Sequence, residues 1–568
     1  MIIPAALRTR FGNLLPAEAR VLARMAEDED VVIGGDLPTE GDDTRKIRAE
    51  FVAVLARGGC EGAAPPPSGL HIQGAWIAGL LDLRGPQIDL DLGLLDCRFD
   101  APPLLLSARL ANLSLIGSHL PGIDADRLET RGDVFLRGAV VQGEARFPGA
   151  RLGGNLDCVG ARFEREGGFA LTADGLETRG SVFLRGAVVQ GEARFPGARL
   201  GGNFDCDSAY FEQEYGAALN ADAIEVEGDV LLTRTEVRGA ARLLHARLKH
   251  DLICVGSSFR KEYGVALMVR DAWVTGGLIL RGETRVCGTL DMTNSRFGYI
   301  DVEAASWPSV GELMLDRCCY DAFISSPVDA RSRLDWLALQ DEARFGQDFW
   351  PQPYEQLAKV FREMGHVADA RTVLIRKEKL QRVARRAKMG AAPRALFWLR
   401  DAAFAVTVRY GRAPMLAFVW LAGLALIGFA MFYAAERNGA LKPNTGYTLR
   451  ADEWVACGAA LGAPVHDAGT GETLKGRRAS GQTRLACFLA QPEGAKYPEF
   501  NAFVYSLDTL LPIVDLEMQD YWIPDESAEW PFARAARWYL WVHIALGWGL
   551  SLLAVAGFSG LVKSDGTP

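Results

Sequence analysis

The chain has 568 residues, a formal net charge of −9 and 23% charged residues, too long for one compact core and suited to a repeat array with appended modules. No stretch outside one short run is uniformly basic, which argues against nucleic acid as a partner. The 10 cysteines form no CxxC pair and no metal-ligand spacing, so no zinc or iron–sulfur site is expected.

Met1 to Leu15 lacks the apolar core and small-residue cleavage site of a secretory signal, so a cytoplasmic location is expected for the bulk of the chain. Residues Met1 to about Gly59 read as helical. One helix starts at Pro16 and runs to Met25. Asp43 is placed to cap a second, Arg45 to Leu55. This segment, 1–66, reads as a helical cap for a repeat array, with a separate recognition role as the alternative.

Pro65-Pro66-Pro67 ends the helical pattern and a strand pattern begins. Gly74-Ala75-x-Ile77 and Gly85-Pro86-x-Ile88 introduce a corner of the form Gly-x-x-apolar. The segment VFLRGAVVQGEARFPGARLGGN, residues 134–155, recurs letter for letter at 182–203, and a degraded third copy brings Cys158, Cys206 and Cys254 into register. Inside each copy an eleven-residue unit repeats, alternating apolar and polar residues over a few positions and closing on a Gly corner. Short strands with regular corners at a fixed period predict a mainly β fold, a right-handed β-helix or β-solenoid, over residues 67–325, with the repeat array itself from about Gly69 to Phe323. Leu136, Phe147 and Cys158 are expected to share one buried column, in which cysteine acts as a small hydrophobe rather than as a thiol ladder. Asp133, Arg137, Glu144, Arg146 and Arg151 point outward, either as a solvated face or as a surface for a protein partner.

Helical period returns over residues 326–392. Tyr354 to Gly365 reads as one helix and Val367 onward as a second, a helical hairpin. The second helix runs into a basic stretch, Arg376, Lys377, Lys379, Arg382, Arg385, Arg386 and Lys388, suited to a membrane surface. Residues 393–435 hold an interfacial amphipathic helix around Ala395, flanked by Arg394 and Arg400, and then an apolar span from Pro414 to Ala435. A second span runs from Trp538 to about Val562 within residues 538–568, its aromatic start placing His543 at the interface or, alternatively, in a proton relay. The Lys and Arg excess before the first span puts the solenoid in the cytoplasm and the anchor in the inner membrane. Residues 436–537 then form an extracytoplasmic loop. In it Cys457 and Cys487 either pair as a disulfide, the favoured reading, or stay as two buried thiols. A short apolar stretch carrying Tyr505, Ser506, Asp508, Thr509 and Asp515 reads as an interfacial or re-entrant helix.

The motifs Gly74-Ala75-x-Ile77, Leu81-Asp82-Leu83, Leu152-Gly153-Gly154-Asn155-Leu156, Pro353-Tyr354-x-x-Leu357-Ala358 and Tyr505-Ser506-Leu507-Asp508-Thr509-Leu510-Leu511-Pro512 resemble those of bacterial membrane proteins related to pentapeptide-repeat and β-helix proteins, often labelled membrane-associated oxidoreductases. The resemblance implies a solenoid joined to a two-helix anchor and carries no catalytic residue with it. The sequence has no GxGxxG after a strand, no CxxC redox pair and no haem attachment motif, so no catalytic, cofactor-binding or metal-binding residue is nominated and no cofactor is expected. The leading expectation is a non-enzymatic scaffold that touches membrane lipid and presents its solenoid to an unknown protein or to copies of itself. The alternatives are a two-span channel with a pore loop, in which Pro512-Ile513-Val514-Asp515 stands where a potassium filter has Thr-Val-Gly-Tyr-Gly, and the oxidoreductase of the label.

Overall fold

A computed structural model describes residues 4–558 apart from 28–29, 40–41, 86, 341–348, 408, 410–414 and 468. The chain divides into two compact units, Met1–Lys377 and Glu378–Pro568, the boundary falling inside the helix Val367–Ala387.

The first unit is a parallel β-solenoid of about eleven coils. Its local cause is visible at the corners. Ala139 donates its backbone N–H to the Leu136 carbonyl (3.1 Å) across a four-residue turn whose third residue, Gly138, sits at φ +62°, a conformation glycine adopts without steric cost. Phe147 to Ala150, Cys158 to Ala161 and Leu184 to Ala187 repeat the turn around Gly149, Gly160 and Gly186. Each turn reverses the chain, so one eleven-residue unit makes half a coil and lays its strands in one sheet. The next unit lays its strands in the other. Val134–Phe135 therefore pairs in parallel with Leu156–Asp157, one full coil on, whereas Ala145–Arg146 pairs with Leu171–Thr172 in the opposite sheet.

This corrects the expected column. Leu136 and Cys158, each two residues past a paired rung, lie above one another, while Phe147 lies on the opposite wall because its unit is the other half of the coil. Along the solenoid the first column reads Ile72, Leu94, Leu115, Leu136, Cys158, Leu184, Cys206, Leu232, Cys254, Leu280 and Val302, all buried. The three repeat cysteines are two coils apart with a leucine between each pair, so they form no contiguous thiol ladder. Every coil buries the same kind of side chain in the same place, and the core is continuous.

From Val134 onward, short and long coils alternate. The coil from Leu156 to its partner Val182 is long, and the coil from Val182 to Phe204 is short. The extra residues of the long coils bulge outward in the middle of the eleven-residue strands Arg162–Thr172, Tyr210–Asn220 and Ser258–Met268. Tyr215 and Tyr263, each 84% exposed, stand on two of these bulges.

A polar ladder runs down one corner. The Asn112 side-chain oxygen accepts the Asp133 N–H (2.6 Å), Asp133 that of Asn155 (2.6 Å), Asn155 that of Ser181 (2.8 Å), Ser181 that of Asn203 (2.9 Å), Asn203 that of Asp229 (2.9 Å) and Asp229 that of Asp251 (3.0 Å). Backbone donors that leave the sheet at the corner are thereby satisfied by the coil beneath.

At the N-terminal end the helix Pro16–Met25 forms as its sequence predicts, with proline in its first turn. The all-helical reading of residues 45–55 does not hold. Lys46–Arg48 is a strand paired with Trp76–Ala78, and Val31–Val32 pairs with Ile72–Gln73. The helix begins only at Ala49, and Asp43 forms an ion pair with Lys46 instead of capping it. Ile47 is fully buried; the open edge of the first coil offers this segment backbone partners and a pocket, which outweigh its local helical preference. At the other end the last strand is Cys319–Phe323, followed by the helices Ala330–Leu337, Gln352–Glu363 and Val367–Ala387. Gln356 donates to the Tyr320 carbonyl (2.6 Å), closing part of the final edge.

In the second unit the helices Met415–Arg437 and Ala533–Phe558 are long and apolar enough to cross a hydrocarbon core of about 30 Å. Pro414 and Val562, the expected outer limits of the two spans, lie outside the described residues, as does Pro86 of the second Gly corner.

Asn155→Ala removes the acceptor of the Ser181 N–H and the donor to Asp133. A loss of about 1–3 kcal/mol is expected from leaving a part-buried backbone donor unpaired, read as a lowered urea midpoint of the β signal in circular dichroism.

Candidate functional site

Two places gather side chains of interest: the packing of a short helix between the two apolar helices, and the outward faces of the solenoid.

The short helix is Ala502–Leu510, capped at its start by Asn501, whose side-chain oxygen accepts the N–H groups of Phe503 and Val504 (both 3.0 Å). It packs against both Met415–Arg437 and Ala533–Phe558. Two glycines allow the approach. A Cβ at Gly428 would collide with the Ser506 hydroxyl and the His543 ring, and one at Gly547 with the Leu510 carbonyl. Small residues that let backbones meet are how apolar helices pack where water supplies no driving force.

The contact is polar at its centre. Ser506 donates its hydroxyl to the Ala425 carbonyl (2.8 Å), relieving a donor buried among apolar helices. His543 is fully buried between the helices. Its Nε2 lies 3.1 Å from the Ser506 carbonyl oxygen and its Nδ1 3.1 Å from the Tyr539 hydroxyl. The incoming short helix covers this residue, and no periodicity in residues 538–562 signals that partner. Tyr505 stacks edge-on against Phe432 at 4.7 Å. Thr509 donates back to the Tyr505 carbonyl (2.7 Å).

Asp508, 3% exposed, accepts the N–H of Leu516 (2.7 Å) with one oxygen and that of Gln519 (2.7 Å) with the other. Charge-assisted bonds of this kind fix a loop firmly, and here they hold residues 511–519 against the helix end. Tyr505, Ser506, Asp508 and Thr509 are thus brought together. Asp515 is not: it is exposed on the loop and caps the Glu517 N–H (2.9 Å).

The loop beyond forms its own small core. Cys457 and Cys487 are joined by a disulfide and packed with Trp454 and Phe488. The basic run is divided in its contacts. Lys377 is buried and paired with Glu355. Arg382 and Arg386 each bind the buried Asp401 at 2.8 Å. Burial of Asp401 opposes its charge, but the hydrogen bond and charge of Arg382, with Arg386 beside it, hold its carboxyl below the usual carboxylate range. Arg376, Lys379, Arg385 and Lys388 remain at least partly exposed.

On the solenoid the outward charges are paired between coils. Arg137 meets Asp157 at 2.5 Å, and its repeat equivalent Arg185 meets Asp205 at 2.5 Å. Arg146 lies 2.8 Å from Asp126 and 3.4 Å from Glu144. Asp133 serves the corner ladder. Inside, burial raises the Cys158, Cys206 and Cys254 thiols above their ordinary range and pushes Cys97 up to about 12. Among the described residues no three His, Cys, Asp or Glu side chains gather to hold a metal.

No family model, no curated protein and no solved structure matches the chain. The resemblance to pentapeptide-repeat proteins therefore rests on the motifs alone.

Burial predicts how the thiols react. Iodoacetamide at pH 8 is expected to alkylate the exposed Cys287 in the native chain and to spare Cys97, Cys158, Cys206, Cys254 and Cys318 until the solenoid is unfolded, a pattern read by peptide mass spectrometry.

Proposed function

We propose that this chain is a non-enzymatic, membrane-anchored scaffold: the second unit holds it in a bilayer and the first presents a rigid solenoid for protein contact. The observation that carries the anchor is the exposure of its apolar helices. Only 28% of each apolar window is buried, whereas a core helix of a water-soluble fold would be mostly covered. Val419, Leu426, Ile427, Leu546, Leu552 and Val555 face outward, a belt whose natural solvent is lipid. Arg376, Lys379, Arg385 and Lys388 before the first span favour the cytoplasmic side of the inner membrane for that end. Supporting the scaffold half is the solenoid's outward chemistry: ion-paired columns of opposite charges that recur along many coils suit an extended contact surface better than a localised reaction. Alkaline carbonate extraction of membranes from expressing cells is expected to leave the chain in the pellet. Recovery in the supernatant overturns the anchor.

A second reading, a pore module gated by the solenoid, is favoured by one feature, the short helix wedged between two spans with a loop tied to its end by Asp508. In that reading residues 511–517 would face the conduction path and Asp508 would set their shape. Chain reconstituted in liposomes is then expected to conduct cations, with Asp508→Asn lowering the conductance at least tenfold because the loop loses two charge-assisted bonds. Tight liposomes at all protein densities remove this reading and leave the scaffold.

A further inference from the structure

One outward column of the solenoid reads Arg109, Glu129, Arg151, Glu177, Arg199, Glu225 on successive coils, each residue the register partner of the next, and Arg247 continues it. With strands about 4.8 Å apart, the charges alternate along an unbroken line. Within the chain Arg109 hydrogen-bonds Glu129 at 2.9 Å, and the others pair more loosely: Arg151–Glu177 at 3.3 Å, Arg199–Glu177 at 3.6 Å and Arg199–Glu225 at 3.4 Å. Their side chains keep between 43% and 67% of their surface in solvent. Two residues further on, the neighbouring column has Gly153 and Gly201 between Arg131, Arg179 and Glu227, so an open trough of about 880 Å³ runs beside the charged line.

We propose that this face is a self-association surface and that its occupant is the same column of a second copy, laid antiparallel. The inference rests on the scaffold reading and names the partner. Charge complementarity selects this occupant. If two copies met face to face in parallel, coil against like coil, Arg151 would oppose Arg151 and every contact would repel. Antiparallel, with the two-fold axis passing between the coils of Arg151 and Glu177, Arg151 meets Glu177 of the second copy, Glu129 meets Arg199 and Arg109 meets Glu225. Each contact occurs twice, as an isologous interface requires. A shift by one coil returns Arg to Arg, whereas a shift by two toward Arg247 again sets Glu129 against Arg247, Arg151 against Glu225 and Glu177 against Arg199, so charge selects the antiparallel orientation and the parity of the register. Single exposed ion pairs contribute little; here six coils of reciprocal pairs act together. The trough beside the line receives the side chains that the second copy brings.

The test uses the full chain in a neutral detergent, with the exposed Cys287 replaced by Ser. Two variants are made on that background, Arg109→Cys and Glu225→Cys. Mixed at low ionic strength and treated with a short bismaleimide crosslinker, they are expected to give a linked dimer joining positions 109 and 225, at least ten times more than either variant alone, identified by peptide mass spectrometry. At about 1 M salt, where screening acts within about 3 Å, the link is expected to disappear. On the same background, replacing Glu129, Arg151, Glu177 and Arg199 together by Gln is expected to abolish the link while the β signal of circular dichroism persists. Equal linking by Arg109→Cys alone, linking that high salt leaves unchanged, or no linking at any salt overturns the proposal. Light scattering separates this failure from that of the scaffold. A dimer that survives the Gln replacements refutes this surface alone, whereas release of the chain by carbonate refutes the anchor.

Discussion

A coil can close only if the chain reverses at the end of each eleven-residue unit, and the reversal is made by a residue held at positive φ. Glycine meets that need at positions 138, 149, 160, 186 and 197; Ser208, Arg234 and His245 meet it elsewhere, where a side chain in the left-handed region costs about 1–2 kcal/mol. The costlier corners carry some compensation. Arg234 donates to the Ser208 hydroxyl (3.1 Å) and forms an ion pair with Asp207 (2.6 Å), so one exceptional corner is tied to the next. Once the corners are set, the remaining architecture is determined. Half-coils of one pattern stack in register, backbone groups of one coil bond the coil beneath, and side chains of like kind fall into columns.

Columns impose a second requirement, because a residue repeated every coil meets itself. Apolar columns profit from this, and the sequence Leu184, Cys206, Leu232, Cys254 packs alternating volumes without a gap wide enough to expose any of the four. Charged columns cannot repeat one residue without like-charge repulsion. The outward Arg and Glu therefore alternate, and the corner uses Asn, Ser and Asp, which accept a backbone N–H whatever lies below. The second unit handles its buried polar groups differently. There the helices satisfy their own backbones, and the polar side chains at the wedge, Ser506 and His543, reach carbonyl oxygens of a neighbouring helix.

The solenoid is legible in the sequence from about Leu70 to Phe323, where strand alternation and Gly-Ala corners recur, although its sheets also take in Val31–Val32 and Lys46–Arg48. The coil is not, since two successive eleven-residue units look alike in sequence while lying on opposite walls; only the strand pairing tells Phe147 from Leu136. Lys46–Arg48 escapes recognition as a strand because Arg45 to Leu55 carries a helical apolar pattern, and the edge strand it meets is distant in sequence. In the second unit, length and hydrophobicity expose the two long helices, and the apolar stretch around Tyr505 stands out by being too short to span. Its insertion between them stays hidden. Gly428, Gly547 and His543 are single residues within apolar runs, and their meaning depends on which helix comes to lie against them.

The bulge of the long coils has an evolutionary consequence. Because it occurs on alternate coils, the smallest unit that can be copied without disturbing the bulge pattern is a short coil plus a long one, the interval from Val134 to Val182. The same unit carries one Arg and one Glu of the alternating column, Arg151 with Glu177 and then Arg199 with Glu225. Copying it preserves parity, so that cation still succeeds anion across the new junction. Gaining or losing a single coil would place like beside like at the junction. Growth or loss in steps of two coils, about 10 Å at a time, keeps both patterns, and the exact repeat of residues 134–155 at 182–203 is offset by one such step.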